Sequence, residues 1–322
     1  MKRFIWIDWM KTIGMFFIIW GHFFSVGHKY AYEFSVPLFF LISGMLSKNE
    51  KDNIVFLKKI FWNLFIPMLI VCSIIFIANS YVKYRDGVFE MKDIPLFIYG
   101  IFVGKYNSLE TCWFVYTLIL LKVIFQYVRK SIVLFVLLGV FISIAFYLNN
   151  YVFSEIRPVP NALIAVSTAY PWFLLGYLLK DYKEKIDEVN DKRILFGLFF
   201  ICLIVLYICG KYNGLVYLFI ASYGGNMIMY FLGGIAGVIA VFSISKMVEF
   251  DFNINQTISV GSILILGFHT KLILLFTSFI QDRTLLDVFF SLIILIAFVP
   301  IIQVCESYFP LILGKYRVKT IS

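Results

Sequence analysis

Apolar residues run through this chain in long blocks from residue 12 to residue 313, and most charged residues gather in the short gaps between them. A bilayer core of about 30 Å takes about 20 helical residues, so blocks of that size bounded by charges or turn residues predict membrane-crossing helices. Ten blocks qualify: Trp6 to Val26, Phe34 to Leu46, Phe56 to Tyr81, Thr111 to Val128, Ile132 to Leu148, Ala162 to Leu179, Ile194 to Cys209, Met227 to Met247, Ile258 to Ile280 and Leu286 to Tyr308. The second block is short, so it starts earlier, tilts, or is a buried re-entrant helix. Two shorter stretches, Ile94 to Val103 and Leu215 to Ala221, read as interfacial or re-entrant pieces. The pattern predicts an all-α, polytopic membrane helix bundle of about ten transmembrane helices in one domain over residues 1–322.

Composition agrees, since hydrophobic residues make up 61% and charged residues 15% of the chain, with a mean hydropathy of +0.91. A soluble domain cannot cover so much apolar surface. The segment Met1-Lys2-Arg3 before an apolar run resembles a secretion signal, but Asp8 and Lys11 interrupt the run and no small-residue cleavage site follows, so it is expected to stay on the protein. The formal charge of +9 does not point to nucleic acid, because the basic residues sit mostly in the connections, where they set orientation. With an even number of spans, one side collects Lys2, Arg3, Lys48, Lys51, Lys58, Lys59, Arg129, Lys130, Lys180, Lys183, Lys185, Lys192, Arg193, Lys246, Lys315, Arg317 and Lys319. Both the N- and C-termini are therefore expected to be cytoplasmic. The five cysteines show no C-x-x-C pairing and read as structural thiols. No internal repeat, flexible linker or low-complexity tract is visible, and the sequon Asn255-Gln256-Thr257 falls in an expected inside loop, where it reads as chance.

Three polar residues interrupt the first block. On a helix at about 100° per residue, Lys11 and His22 share a face about 16 Å apart along the axis, and Asp8 lies within ion-pair reach of Lys11. Charged groups at bilayer depth cost several kcal/mol, so such a stripe should face protein or water and is a functional candidate. An interfacial Asp8–Lys11 ion pair and a packing role for His22 are the structural alternatives. The other two histidines are His28, expected in a loop with Lys29 and Tyr30, and His269, inside the ninth block beside Lys271; His269 reads equally as a hydrogen-bonded packing residue and as a functional base. No His, Cys and carboxylate spacing suits a metal, so none is expected. The segment from Val36 to Met45 sets Pro37 at an expected helix start and puts Ser43-Gly44 within the run, either a close helix contact or a substrate-facing surface. Ser43 lacks the G-x-S-x-G surroundings of an activated nucleophile.

The segments IDWMKTIGMFFIIWGH, VPLFFLISGM, FLKKIFWNLFIP and TCWFVYTLI together resemble the acyltransferase 3 family of membrane sugar O-acyltransferases, most of all its fucose 4-O-acetylase-like branch. The likeness is densest over residues 5 to 70, with PWFLLGYLLK and GSILILGFHTKLI as weaker echoes. The family's basic residue, ten intervening positions and histidine fall on Lys11 and His22; Asp8 matches the acidic residue before them and His269 a late histidine. Relatives in that branch often read F-H-M-P-L-F-F, where this chain has Phe34-Ser35-Val36-Pro37, so a second early histidine is missing at Ser35.

The resemblance implies an O-acetyltransferase of the plasma membrane, multi-pass and bacterial, that moves an acetyl group from cytoplasmic acetyl-CoA to a hydroxyl of a cell-surface glycan or its lipid-linked precursor. It implies His22 as general base or acyl relay, with Lys11 and Asp8 beside it. Lys11, Lys58 and Lys59 would meet the CoA phosphates, and Ser43, His269 and Trp113 the acceptor. The residues fit this chemistry on their own terms. A sugar hydroxyl is a poor nucleophile, and a neutral histidine that accepts its proton is the natural device. Three other readings stay open: a succinyl or other short acyl donor, a transporter or flippase of lipid-linked sugars, and a non-catalytic scaffold or sensor. A transporter predicts inverted repeats and paired broken helices, and the sequence displays neither.

Overall fold

The computed structural model describes residues 3–24, 27–128, 130–151, 161–248, 250–277 and 286–315. Its main helices are α1 (Ile5–Gly21), α2 (His28–Met45), α3 (Asn53–Arg85, with a π-helical turn at Phe61–Phe65), α4 (Asp93–Val103), α5 (Trp113–Tyr127) and α6 (Ser131–Tyr151). They continue with α7 (Asn161–Leu179), α8 (Lys192–Asn213), α9 (Met227–Met247), α10 (Asn253–Val260), α11 (Ser262–Thr277) and α12 (Leu286–Tyr308). Among the described residues there is no strand, only an isolated bridge between Tyr217 and Ser222. Side-chain caps start several helices where the sequence offers them. Asp52 accepts from the amide of Ile54, Asp191 from Arg193 and Ile194, and Asn226 from Ile228 and Met229, satisfying first-turn donors that lack an intrahelical partner.

Six helices among the described residues are long and apolar enough to cross a membrane, and α10 with α11 makes a seventh if that bent pair is one span. The further spans expected from the sequence are α1, with 17 residues, α2, which opens on His28, Lys29 and Glu33, and α7, which adjoins undescribed residues. Lys2, Arg129, Arg317 and Lys319, part of the expected cytoplasmic set, lie outside the described residues, as does the end of the expected ninth span at Ile280. The remaining surface is strongly apolar. Phe135 and Val136 on α6, Ile201 and Ile204 on α8, and Phe289 and Ile296 on α12 are exposed, as lipid contact requires.

α1 and α2 form the centre. α1 packs against α2, α9, α10, α11 and α12, while α2 packs against α7 and α9. The two run antiparallel: a Cβ on Gly14 would come within 2.8 Å of Leu38 and Phe39, and one on Gly21 within 3.0 Å of Tyr32. At the α2–α7 crossing, a Cβ on Gly44 would strike the Phe173 carbonyl and one on Gly176 the Leu41 carbonyl. Ser43-Gly44 thus sits at a close backbone approach, the means by which membrane helices gain contact without a hydrophobic driving force.

Four sequence expectations change here. α2 begins six residues before Phe34, with Gly27 at φ 91°, so His28 is in its first turn rather than in a loop. Pro37 lies inside α2, not at a helix start. The ninth span begins at Asn253 and breaks at Gly261 with a bend of 83°. The sequon falls in α10 rather than in a loop, with Asn255 buried.

Polar contacts gather the basic connections at one end of the bundle. Asn49 donates to the Tyr177 hydroxyl at 3.0 Å, Lys59 pairs with Glu50 at 2.8 Å, Lys246 donates to the Asp187 carbonyl at 2.7 Å, and Arg3 pairs with Asp251 at 2.8 Å. Because α1 starts at this end, His22 stands toward the other.

Candidate active site

His22 caps the C-terminus of α1, and its ring meets that of His269 on α11 at 4.6 Å between centroids, edge to face. Each ring is set by the same local device. The Nδ1–H of His22 donates to the Ile18 carbonyl and that of His269 to the Ile265 carbonyl, both at 2.8 Å and both one helical turn back. A carbonyl only accepts, so these bonds assign the proton to Nδ1 and leave the lone pair on each Nε2, turned away from its own helix. The Nε2 of His269 is enclosed and has no hydrogen-bond partner among the described residues. A buried acceptor without a partner costs free energy, and a catalytic role is one of the few reasons for which folded proteins keep one.

Two cavities border His22, and one of them borders His269 as well. One, of about 160 Å³, is lined by His22, His269, Tyr32, Trp113, Tyr217 and Phe219, among others. The second, of about 610 Å³, is lined by His22, Asn107, Glu110, Thr111, Lys271 and Thr277, among others. Thr111 borders both, and its hydroxyl donates to the Gly267 carbonyl at 3.2 Å, tying the start of α5 to α11 two residues before His269. The stretch Leu215 to Ala221, expected as an interfacial or re-entrant piece, folds over the first cavity, held where the Thr168 hydroxyl donates to the Leu218 carbonyl at 3.0 Å.

At the basic end lies a third cavity of about 420 Å³, lined by Ser47, Lys48, Glu50, Lys59, Asn63 and Lys122, among others. Lys122 is a half-buried cation in the otherwise apolar α5. Trp113 and Lys122 are nine residues apart on α5, which puts about 13 Å of helix between the histidine cavity and the basic one.

The structure thus brings His22, His269 and Trp113 together. Lys11 lies elsewhere on α1, donating to the Ser259 hydroxyl of α10 at 3.2 Å, so the broken helix carries Lys11's partner on one half and His269 on the other. Asp8 pairs with Arg3 at 2.7 Å rather than with Lys11, because Arg3 also reaches Asp251 and closes a three-residue cluster at the surface. Of the two lysines in the first turns of α3, Lys59 lines the basic cavity and Lys58 is exposed. Ser43 is half-buried seven residues beyond Val36, whose side chain borders the histidines, so about 10 Å of helix separates it from them. Ser35 is buried, and the aromatic neighbour of His22 on α2 is Tyr32, with ring centroids 5.7 Å apart. Among the described residues no three His, Cys, Asp or Glu side chains converge as a metal site would need.

A family model described as an acyltransferase domain, of the acyltransferase 3 type, matches residues 4–305. The chain belongs to the acyltransferase 3 family. With its apolar helices, it is a multi-pass membrane acyltransferase. No curated protein and no solved structure gives a match. The matched residues include every side chain of the three cavities.

Sequence reasoning missed several residues of this acyltransferase that line its cavities. Glu110 has φ 42°, a left-handed conformation that is strained for a side chain with a Cβ, by about 1–3 kcal/mol. Asn79 donates to Glu110 at 2.7 Å, and Lys271 lies 3.2 Å from the same carboxylate and 3.2 Å from the Asn79 carbonyl oxygen. Lys271 had a usable signal, since it follows His269 by two residues on one helix. Asn79 and Glu110 had none, being 31 positions apart on separate elements.

Proposed function

We propose that this membrane acyltransferase transfers an acetyl group from acetyl-CoA, taken from the cytoplasmic side, to a hydroxyl of a cell-surface glycan or its lipid-linked precursor. The observation that carries the reading is the His22–His269 pair in a cavity wall, with both Nδ1–H groups committed to backbone carbonyls and His22 bordering a second cavity too. The acceptor hydroxyl attacks the thioester carbonyl while His22 Nε2 takes its proton. The carbon–sulfur bond breaks, the ester forms, and the CoA thiolate leaves and recovers a proton from the imidazolium. His269, against the edge of the same ring, steadies the charge that develops on His22. Relay through an acetylated His22 uses the same geometry in two steps, histidine attacking the thioester first and the hydroxyl then attacking the acyl-imidazole.

The donor enters at the basic end. Lys48, Lys59 and Lys122 border a cavity there that suits the phosphates of CoA, and its distance along α5 leaves the thioester arm to reach toward the histidines. Lys11 acts through the broken helix, where its bond to Ser259 helps to hold α10 and α11, and so His269, in register. Trp113 offers an aromatic wall to a sugar face. Purified protein in liposomes with acetyl-CoA and surface glycan from the parent cell should release free CoA and yield acetylated glycan. Full retention of both in His22→Ala would sink the assigned role of His22, and glycan movement without any CoA release would sink the acyltransfer itself. Mass spectrometry of the product separates acetyl from succinyl donors.

A further inference from the structure

The larger cavity beside the histidines carries a group that this chemistry does not use. Its charged liners are Glu110 and Lys271, 3.2 Å apart, which together contribute no net charge; Asn107, Thr270 and Thr277 are neutral hydrogen-bonding neighbours. Asn79 clamps the pair by donating to one carboxylate oxygen of Glu110 and accepting from Lys271. The carboxylate is thus held at both oxygens, Oε1 by Asn79 and Lys271 and Oε2 by Lys271, yet with capacity for about four hydrogen bonds it keeps a free acceptor position. The backbone of Glu110 is held at φ 42°, a strained conformation in the lining of the cavity. Its neighbour Thr111 borders both cavities and bonds to the Gly267 carbonyl, so the carboxylate is tied to the helix that carries His269.

We propose that Glu110 is an acceptor-binding residue and that it takes an uncharged sugar through a pair of adjacent hydroxyls. Two neighbouring hydroxyls match the two oxygens of a carboxylate, in the bidentate manner that makes charge-assisted hydrogen bonds strong. Lys271 offsets the charge of Glu110, so the cavity has no net attraction for an ionised sugar. A ring seated on Glu110 presents a further hydroxyl across Thr111 toward the histidines. This rests on the reading of the protein as a sugar O-acyltransferase, but binding tests it apart from catalysis.

The probes are methyl β-galactoside, which carries adjacent cis hydroxyls, its 4-deoxy analogue, and methyl galacturonoside as the ionised comparison. Binding to purified protein in detergent is followed by saturation-transfer NMR, without any acyl-CoA. Wild-type protein should bind the galactoside. Glu110→Gln, which keeps the shape and the Lys271 and Asn79 neighbours, should weaken binding at least tenfold, and the deoxy and ionised probes should bind wild-type protein at least tenfold more weakly. Glu110→Asp serves as the second variant: correct folding with partial binding supports the assignment. Unchanged binding in Glu110→Gln, equal binding of all three probes, or no binding of the galactoside by wild-type protein each overturns it. If binding follows this pattern while no acetyl group is transferred to any glycan, the acyltransfer reading fails and this inference stands.

Discussion

The edge-to-face contact between His22 and His269 makes a sharp prediction. Changing His269 to asparagine leaves an amide N–H near the position of Nδ1, able to keep the bond to the Ile265 carbonyl, while deleting Nε2. If His269 stabilises the imidazolium that forms on His22 through this ring contact, the loss is that of a desolvated cation beside an aromatic ring, about 2 kcal/mol, or roughly 30-fold in rate. Deleting the base in His22→Asn should lower the rate by about 10²- to 10⁴-fold. The two effects should not multiply, because the contribution of His269 exists only once His22 holds the proton. The double variant should therefore be within a few-fold of His22→Asn. The assay is the initial rate of free thiol release from acetyl-CoA with glycan acceptor present, across all four proteins. A His269→Asn rate within threefold of wild type, or a double variant slower by the product of both factors, would refute the coupling.

Other parts of the molecule respond differently. Lys122→Met should raise KM for acetyl-CoA about 10-fold or more, from the loss of a charge-assisted bond to phosphate, with KM for the acceptor unchanged; a shift in the acceptor KM instead would move the donor site elsewhere. Gly44→Ala and Gly176→Ala should each destabilise the fold by about 1–3 kcal/mol, because the added methyl meets backbone carbonyls that side-chain rotation cannot clear; thermal unfolding followed by size-exclusion fluorescence reads this, and an unchanged midpoint argues against the close crossing. Tyr230→Phe should lower stability by about 1–3 kcal/mol, since it leaves the Trp172 Nε1–H, which donates to Tyr230 at 2.6 Å, buried without its partner. Trp172→Phe in the same background should recover part of that loss.

Apolar run length and the charge between the runs are local properties, and through them the sequence alone predicted a helical membrane bundle and the position of most spans, and singled out His22 and His269 as bases within apolar runs. The motif spacing pointed to the acyltransferase 3 family in the same way. What it misjudged was pairing. Asp8 was placed with Lys11 because they share a turn, yet in the structure it pairs with Arg3, which also binds Asp251 from the connection between α9 and α10. At Ser43-Gly44, left open between close helix contact and a substrate-facing surface, the structure puts Gly44 against α7. The break at Gly261, the left-handed backbone of Glu110 and the Asn79–Glu110–Lys271 cluster left no periodic trace, because each depends on which helices become neighbours. Hydrophobic periodicity says that a helix is buried and on which side; it does not say against whom. His22 and His269 are separated by most of the chain, and only the packing of α11 against α1 sets their rings 4.6 Å apart.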